Sequence, residues 1–71
     1  MAIDEILKKI RKELNLTQEQ LARDLNVSFS TLNRWENSHA VPSRLARIRL
    51  LDYCCQKGVS DEIVANLERF K

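Results

Sequence analysis

Glycine and proline are nearly absent from this sequence, which has one of each in 71 residues. An all-β fold needs many tight turns, and these two residues commonly form them, so their scarcity argues against a sheet-rich chain. No apolar run approaches the roughly 18 residues that span a bilayer, and the start MAIDEILKK lacks an apolar signal core. We therefore expect an all-α, cytoplasmic protein with no membrane partner.

Groups that bind metals or react covalently are also scarce. The two cysteines, Cys54 and Cys55, are adjacent and would point about 100° apart on a helix, which disfavours a bridge between them. His39 is the single histidine, and the paired ligand spacing of a zinc site is missing. There is no glycine-rich phosphate loop and no evident nucleophile to partner His39. The sequence predicts reduced thiols, no metal, no cofactor and no enzymatic activity.

Basic and acidic residues nearly cancel, at twelve against ten, for a net charge of +2. Their distribution is uneven, because residues 28–49 hold four arginines and one glutamate, a balance of +3, and the rest of the chain balances at −1. A basic segment of this kind is consistent with a surface that faces phosphate. A solvated helix face is the alternative, and charge alone does not decide between them.

Five stretches of the chain have apolar residues at the three- and four-residue spacing of helices. The first covers residues 3–14 and ends at Asn15, a residue type that tolerates a left-handed cap. Thr17 opens the second with a capping-box pattern, and this helix runs to about position 25. Ser28 caps the third after a corner at Asn26, so the second and third helices must cross at a steep angle.

The last two predicted helices follow a turn-like segment, SHAVPS. Pro42-Ser43 opens the fourth helix and Gly58 is placed to end it. Its predicted inward stripe consists of Leu45, Ile48 and Leu51, with Cys55 as a further candidate. The fifth helix begins after the cap residue Ser60, and its apolar positions are Ile63, Val64, Leu67 and Phe70.

The third helix, residues 28–37, divides into two faces. Leu32 and Trp35 are three residues apart and share one face, while Asn33 and Arg34 fall largely on the other with further hydrogen-bonding side chains. Trp35 is expected to be partly buried and to pack the helix against the core. The alternative is that its indole stacks on a base.

Residues 16–43, LTQEQLARDLNVSFSTLNRWENSHAVPS, closely resemble the Xre-like helix-turn-helix family, which includes phage Cro proteins and repressors. The resemblance is carried in register by Thr17-Gln18, the central Ala22, the corner, Glu36-Asn37 and Pro42-Ser43. It implies one five-helix, lambda-repressor-like domain over residues 1–71, either complete or the N-terminal part of a longer protein. Its helix-turn-helix would span about residues 17–37, with residues 28–37 as the recognition helix in a DNA major groove.

The resemblance also implies roles for single residues. Arg34 can donate two hydrogen bonds to guanine, and Phe29 either presses on a thymine methyl or covers the corner. Arg11 is implied to pair with Glu36 as a structural tie, with a phosphate contact as the alternative. The residues implied to contact bases are Phe29, Ser30, Asn33 and Arg34, and those implied to contact the DNA backbone are Thr17, Gln18, Asn37, Ser43 and Arg44.

The sequence departs from the family pattern at the corner and in the loop after the third helix. Asn26 replaces a frequent glycine, and Ser38 stands where the loop often has one. His39 and Ala40 occupy positions that are often basic, so we expect a weaker grip on phosphate there. His39 is predicted to be a solvent-exposed loop residue. The alternative is that it acts as a switch by gaining or losing a proton.

These features together predict sequence-specific binding to double-stranded DNA by a transcriptional regulator, specifically a repressor. One alternative is a protein-interaction module such as an antitoxin or an adaptor. Another is the DNA-targeting domain of a larger restriction or modification protein. We also expect a homodimer through the C-terminal helix, because Val64, Leu67 and Phe70 could extend an apolar stripe beyond what the core needs.

Overall fold

The computed structural model describes residues 2–69 and is helical throughout, apart from short connections. Its helices begin and end close to the predicted positions, so the all-α, five-helix prediction is confirmed. The prediction for Phe70 lies outside the described residues. The helices are α1 (Ile3–Leu14), α2 (Gln18–Leu25), α3 (Phe29–Glu36), α4 (Arg44–Lys57) and α5 (Asp61–Arg69).

Each of the helices α1 to α4 is followed within two residues by a residue with positive φ, namely Asn15, Asn26, Ser38 and Gly58. The residue that follows each of them donates its backbone N–H to a carbonyl oxygen in the last turn of the helix. An example is the 3.0 Å bond from the Val27 N–H to the Ala22 carbonyl. This is the Schellman ending, which favours glycine and tolerates asparagine because other side chains crowd the backbone in the left-handed region. Ser38, with a φ of 60°, is the poorest fit of the four.

We predict that Ser38→Gly raises the free energy of unfolding by about 0.5–1 kcal/mol. Glycine removes the left-handed strain, and the greater freedom of the unfolded chain offsets part of that gain. Urea denaturation followed by circular dichroism measures the change. Ser38→Ala is the matched control, because alanine keeps the strain and should give no gain. A glycine variant no more stable than the alanine variant would contradict the prediction.

The core is formed by apolar side chains from every helix. Helix α1 packs on α3 and α5, α2 packs on α3 and α4, and α4 packs on α5. Helix α3 is therefore supported from two sides by α1 and α2. The side chains that are almost completely buried are Ile6, Leu7, Ile10, Leu21, Leu32, Pro42, Leu50 and Cys54.

The predicted inward stripe of α4 is wrong for Leu45, Ile48 and Cys55, whereas Leu51 packs against the core as predicted. Leu45 is 67% exposed and Ile48 is 54% exposed, while Cys55 is exposed and Leu51 half-buried. The core receives the opposite face of α4 instead, through Leu50, Tyr53 and Cys54. Both faces of this helix carry apolar residues at helical spacing, so periodicity alone could not identify the buried one.

Two long-range polar contacts fix α4 and α5 against the other helices. The Tyr53 hydroxyl donates to the Asp24 carboxylate at 2.7 Å and joins α4 to α2. Burial and this contact with Asp24 raise the pKa of Tyr53 above its usual value. At the start of α5, the backbone N–H of Ser60 donates to the Glu13 carboxylate of α1. The first contact holds α4 against α2, and the second holds the start of α5 against α1.

Candidate nucleic-acid interface

The corner between α2 and α3 consists of Asn26, Val27 and Ser28. Asn26 adopts the left-handed conformation, with a φ of 58°, as predicted for this corner. Ser28 then caps α3, because its hydroxyl oxygen accepts from the Thr31 N–H at 3.1 Å. With both helix ends fixed by hydrogen bonds, the corner sets the angle between the two helices and so the direction in which α3 is presented.

Helix α3 has a buried side and an outward side. Leu32 is fully buried, and Trp35 is 7% exposed, so the indole packs in the core as the anchor interpretation expected. The outward side holds the four residues implied to contact bases. Among them, Phe29, Ser30 and Arg34 are exposed, and Asn33 is half-buried. The structure therefore brings these four side chains together on one accessible helix face.

Arg11 and Glu36 form a two-bonded ion pair between α1 and the last turn of α3. Arg11 Nε lies 3.0 Å from Glu36 Oε2, and Arg11 Nη2 lies 2.7 Å from Oε1. The Glu36 side chain is 2% exposed, whereas Arg11 remains 25% exposed. Two parallel bonds to a buried carboxylate restrict both side chains strongly. The arrangement holds the end of α3 against α1 and leaves the outward face of α3 unobstructed.

The residues implied to contact the DNA backbone cluster at helix ends. Thr17 caps α2 in a complete capping box with Gln20, and Ser43 caps α4 by accepting from the Ala46 N–H. Gln18 and Arg44 are the first residues of those two helices. The first turn of a helix presents N–H groups and a partial positive charge, which suit a phosphate.

Asn37 lies at the other end of α3, where its side-chain amide donates to the Asn33 carbonyl at 2.8 Å. That bond holds the exposed Asn37 side chain beside the outward face of α3. His39 is also exposed, as one of the two sequence interpretations expected.

The mid-chain arginines do not form one surface. Arg34 and Arg44 are exposed at α3 and at the start of α4. The half-buried Arg47 donates to the Pro42 carbonyl at 3.1 Å. Arg49 lines a groove of about 200 Å³ between α2 and α4, together with two acidic side chains. The +3 balance of this segment is therefore only partly available to a phosphate backbone.

The contact between Tyr53 and Asp24 was not anticipated from the sequence. The two residues are 29 positions apart, and nothing in the local pattern of either one points to the other. The sequence offered one indirect indication, which is that Tyr53 lies on a helix with two apolar faces and could therefore be buried. A buried tyrosine hydroxyl usually has a polar hydrogen-bond partner. The contact braces α4 against α2, the first helix of the helix-turn-helix.

The thiols differ in environment. Cys54 is fully buried and Cys55 is exposed. Burial, together with the neighbouring Cys55 and Glu13, raises the pKa of Cys54 to about 11, so this residue is a neutral thiol near neutral pH. Residues 2–69 contain no group of three or more His, Cys, Asp or Glu side chains that could hold a metal ion. No helix among the same residues is long and apolar enough to cross a membrane.

A short helix pair with a fixed corner, and a second helix that presents polar side chains outward, define the class of helix-turn-helix DNA-binding domains. Comparison with known proteins agrees with this class. The family model for the helix-turn-helix of the HTH_3 type matches residues 7–53. The chain therefore belongs to the Xre and lambda-repressor type of helix-turn-helix proteins.

A relative with a described role is the HTH-type transcriptional activator BcrR of Enterococcus faecalis. The two proteins are 42% identical over 43 residues, which cover 61% of this chain and 21% of that protein. The chain thus spans about a fifth of the length of the relative that it matches. No solved structure was found to match the chain.

Proposed function

We propose that this chain binds double-stranded DNA sequence-specifically, with α3 in the major groove, and that it regulates transcription. The observation that carries the proposal is the outward face of α3, where Phe29, Ser30, Asn33 and Arg34 lie together on a helix held by buried Leu32 and Trp35. A rigid helix with exposed donors can read base edges, because each base pair presents a distinct pattern in the major groove.

Base reading is assigned mainly to Arg34, whose guanidinium can donate two hydrogen bonds to guanine. Phe29 is half exposed at the start of α3 and would meet a thymine methyl. Thr17, Gln18, Asn37, Ser43 and Arg44 would hold the phosphate backbone and set the register without selecting a sequence. No catalytic step is assigned to any of these residues, and the proposed location is the cytoplasm.

The direction of regulation is proposed to be repression. A domain bound across a promoter excludes other proteins from that site by occupancy and needs no further contact. The activator from Enterococcus faecalis shares a segment with this chain, and about four-fifths of its length lies outside the match. The likeness therefore supports a DNA-binding regulator more directly than it supports either direction of control.

Selection from random duplex DNA at about physiological salt tests the proposal, with the enriched pool sequenced. We expect an enriched motif, and binding to it should weaken steeply with salt, because each neutralised phosphate contributes about −0.9 to the slope of log K against log salt. A palindromic motif with half-sites about 34 Å apart would support binding as a homodimer, which we propose to pair through α5. Salt-insensitive or absent binding would overturn the proposal in favour of a protein-interaction module.

A further inference from the structure

Two apolar side chains are largely exposed on the face of α4 that points away from the core. Leu45 is 67% exposed and Ile48 is 54% exposed, and their spacing of three residues places them on one side of the helix. Arg44 begins the helix beside them, and Arg47 lies in the same two turns. A single apolar side chain on a surface needs no explanation, but adjacent ones on one helix face indicate a contact surface. We call these four residues the α4 surface.

A groove between α4 and α5 continues the α4 surface inward. Its volume is about 190 Å³, and its apolar lining consists of Ile48, Leu51 and Leu67. Leu51 is half-buried and packs against the core, and Leu67 is 4% exposed, so the fold itself fixes the floor of the groove. A water molecule takes about 30 Å³ in the liquid, so the groove has room for one large apolar side chain from outside.

Basic side chains border the α4 surface and its groove. Arg44 is exposed, and it lines the groove together with Arg47. The Arg47 guanidinium donates to the Pro42 carbonyl at 3.1 Å, which holds this group at the rim. Glu68 of α5 is the acidic side chain in the same lining. Two guanidinium groups against one carboxylate leave the rim with a net positive charge.

We infer that the α4 surface docks an acidic, amphipathic segment of a partner protein, whose carboxylates meet the two arginines and whose apolar side chains cover Leu45 and Ile48. The groove takes one of those apolar side chains. A guanidinium pairs with a carboxylate through two parallel bonds, so the basic rim selects acidic partners. An apolar centre beside a charged rim is the usual arrangement of a protein interface. This surface is separate from α3, and the inference does not rest on DNA binding.

The shape and the charges of the α4 surface favour a polypeptide over a lipid bilayer. A flat bilayer surface cannot fill the groove, whereas a projecting side chain can. Glu68 lies in the rim and Asp52 is exposed one turn beyond Ile48, and both carboxylates would repel the headgroups of an anionic membrane. A second copy of the α4 surface is also a poor occupant, because its arginines would face those of the first. The partner segment therefore carries its carboxylates toward the start of α4 and none opposite Asp52.

The α4 surface is small, so the docked segment is short. Residues 44–51 span about 12 Å along the helix, which is two turns. A standard stable interface buries about 800 Å² on each partner, far more than two turns of one helix supply. We therefore expect a transient contact with a dissociation constant on the order of 100 μM.

Selection of random peptides displayed on phage, with the full chain as bait, tests the chemistry of the partner. We expect the enriched peptides to carry apolar residues three or four positions apart, with Asp or Glu beside them. A synthetic peptide of this kind is then titrated by fluorescence anisotropy. A second peptide, with each acid replaced by lysine, keeps the apolar pattern and should bind at least about 10-fold more weakly, because like charges then face each other. Absence of enrichment, enrichment of peptides without acids, or equal binding of the lysine peptide would overturn the inference.

Substitutions on α4 test the residues involved. Ile48→Ser should weaken binding of the acidic peptide about 10-fold, because an apolar contact is lost, and Arg47→Gln about 3- to 5-fold. Circular dichroism checks that each variant is folded. Arg49→Gln is the matched control for the charge, because Arg49 lines the groove between α2 and α4 instead. Phe29→Ser is the control for the apolar side chain, and both controls should bind like wild type. Arg44 is not substituted, because it is also proposed to hold DNA.

NMR titration of the isotope-labelled full chain with the acidic peptide locates the contact. Backbone amide signals of residues 44–51 and of Leu67 should shift, and those of α3 should not. Shifts confined to α3, or undiminished binding by a folded Ile48→Ser variant, would overturn the inference. Shifts at residues 44–51 that depend on protein concentration without peptide would overturn it in favour of a second copy. Cosedimentation with vesicles of phosphatidylcholine and phosphatidylglycerol that is lost in Ile48→Ser would overturn it in favour of a membrane.

Discussion

Replacing Arg11 with alanine is expected to lower the free energy of unfolding by about 2–4 kcal/mol. The Glu36 carboxylate that Arg11 holds is 2% exposed, so the substitution leaves a buried charge without its partner, which typically costs about 3–5 kcal/mol. The lower range applies here because Arg11 is itself 25% exposed and water can enter. Small domains have total stabilities of roughly 0.05–0.15 kcal/mol per residue, or about 4–11 kcal/mol for 71 residues, so this loss would remove a large fraction of the stability.

Urea denaturation of three variants separates the buried charge from simple loss of packing. Arg11→Ala should be the least stable. Glu36→Gln removes the charge but keeps a hydrogen-bond acceptor for Arg11, and should lose less. Arg11→Met/Glu36→Leu replaces the pair by apolar side chains, which is often neutral or stabilising. A double variant as unstable as Arg11→Ala would show that the charge is not the cause.

Replacing Arg34 with alanine is expected to weaken binding to the preferred DNA site by about 1–3 kcal/mol, or about 5- to 150-fold in the dissociation constant. The loss should be smaller on random duplex DNA, because a two-bonded guanine contact exists only on the preferred site. Arg34 is exposed on α3, so the variant should fold normally. Titration of both DNAs by fluorescence anisotropy at fixed salt measures the difference.

Arg49→Ala is the matched control for Arg34. It removes the same charge from an exposed position in the groove between α2 and α4, away from the outward face of α3. We expect a small loss that is equal on the two DNAs, since only the general field changes. Equal losses on both DNAs for Arg34→Ala as well would show that Arg34 contacts phosphate, and base reading would then have to come from other residues.

Helix positions were predictable because their signals are local. The capping box at Thr17 and Gln20, the cap at Ser28 and the left-handed endings at Asn15 and Gly58 each involve residues within one turn of the chain. Local hydrogen bonds of this kind form wherever the segment folds, so the sequence alone places the ends of the helices.

The resemblance to a known family supplied what local patterns could not. Periodicity showed that Leu32 and Trp35 share one face of α3, but it could not show that Arg11 reaches Glu36 across 25 positions. The resemblance also proposed which α3 residues contact DNA. The structure gathers those residues on an accessible face, and their contacts with DNA remain predictions for the Arg34 titration to examine.

Helix α4 shows a feature that the sequence alone did not determine, namely which of its two apolar faces is buried. The sequence determined that residues 44–57 form a helix with apolar side chains at the spacing of two opposite faces. In the folded chain, the face containing Leu50, Tyr53 and Cys54 packs into the core. On that face Leu50 and Cys54 fit without exposure to solvent, and the Tyr53 hydroxyl reaches Asp24 on α2. Burial and hydrogen bonding between segments that are distant in the chain distinguish two faces that look alike in sequence. Because one face is buried in the core, the other apolar face is left exposed to solvent.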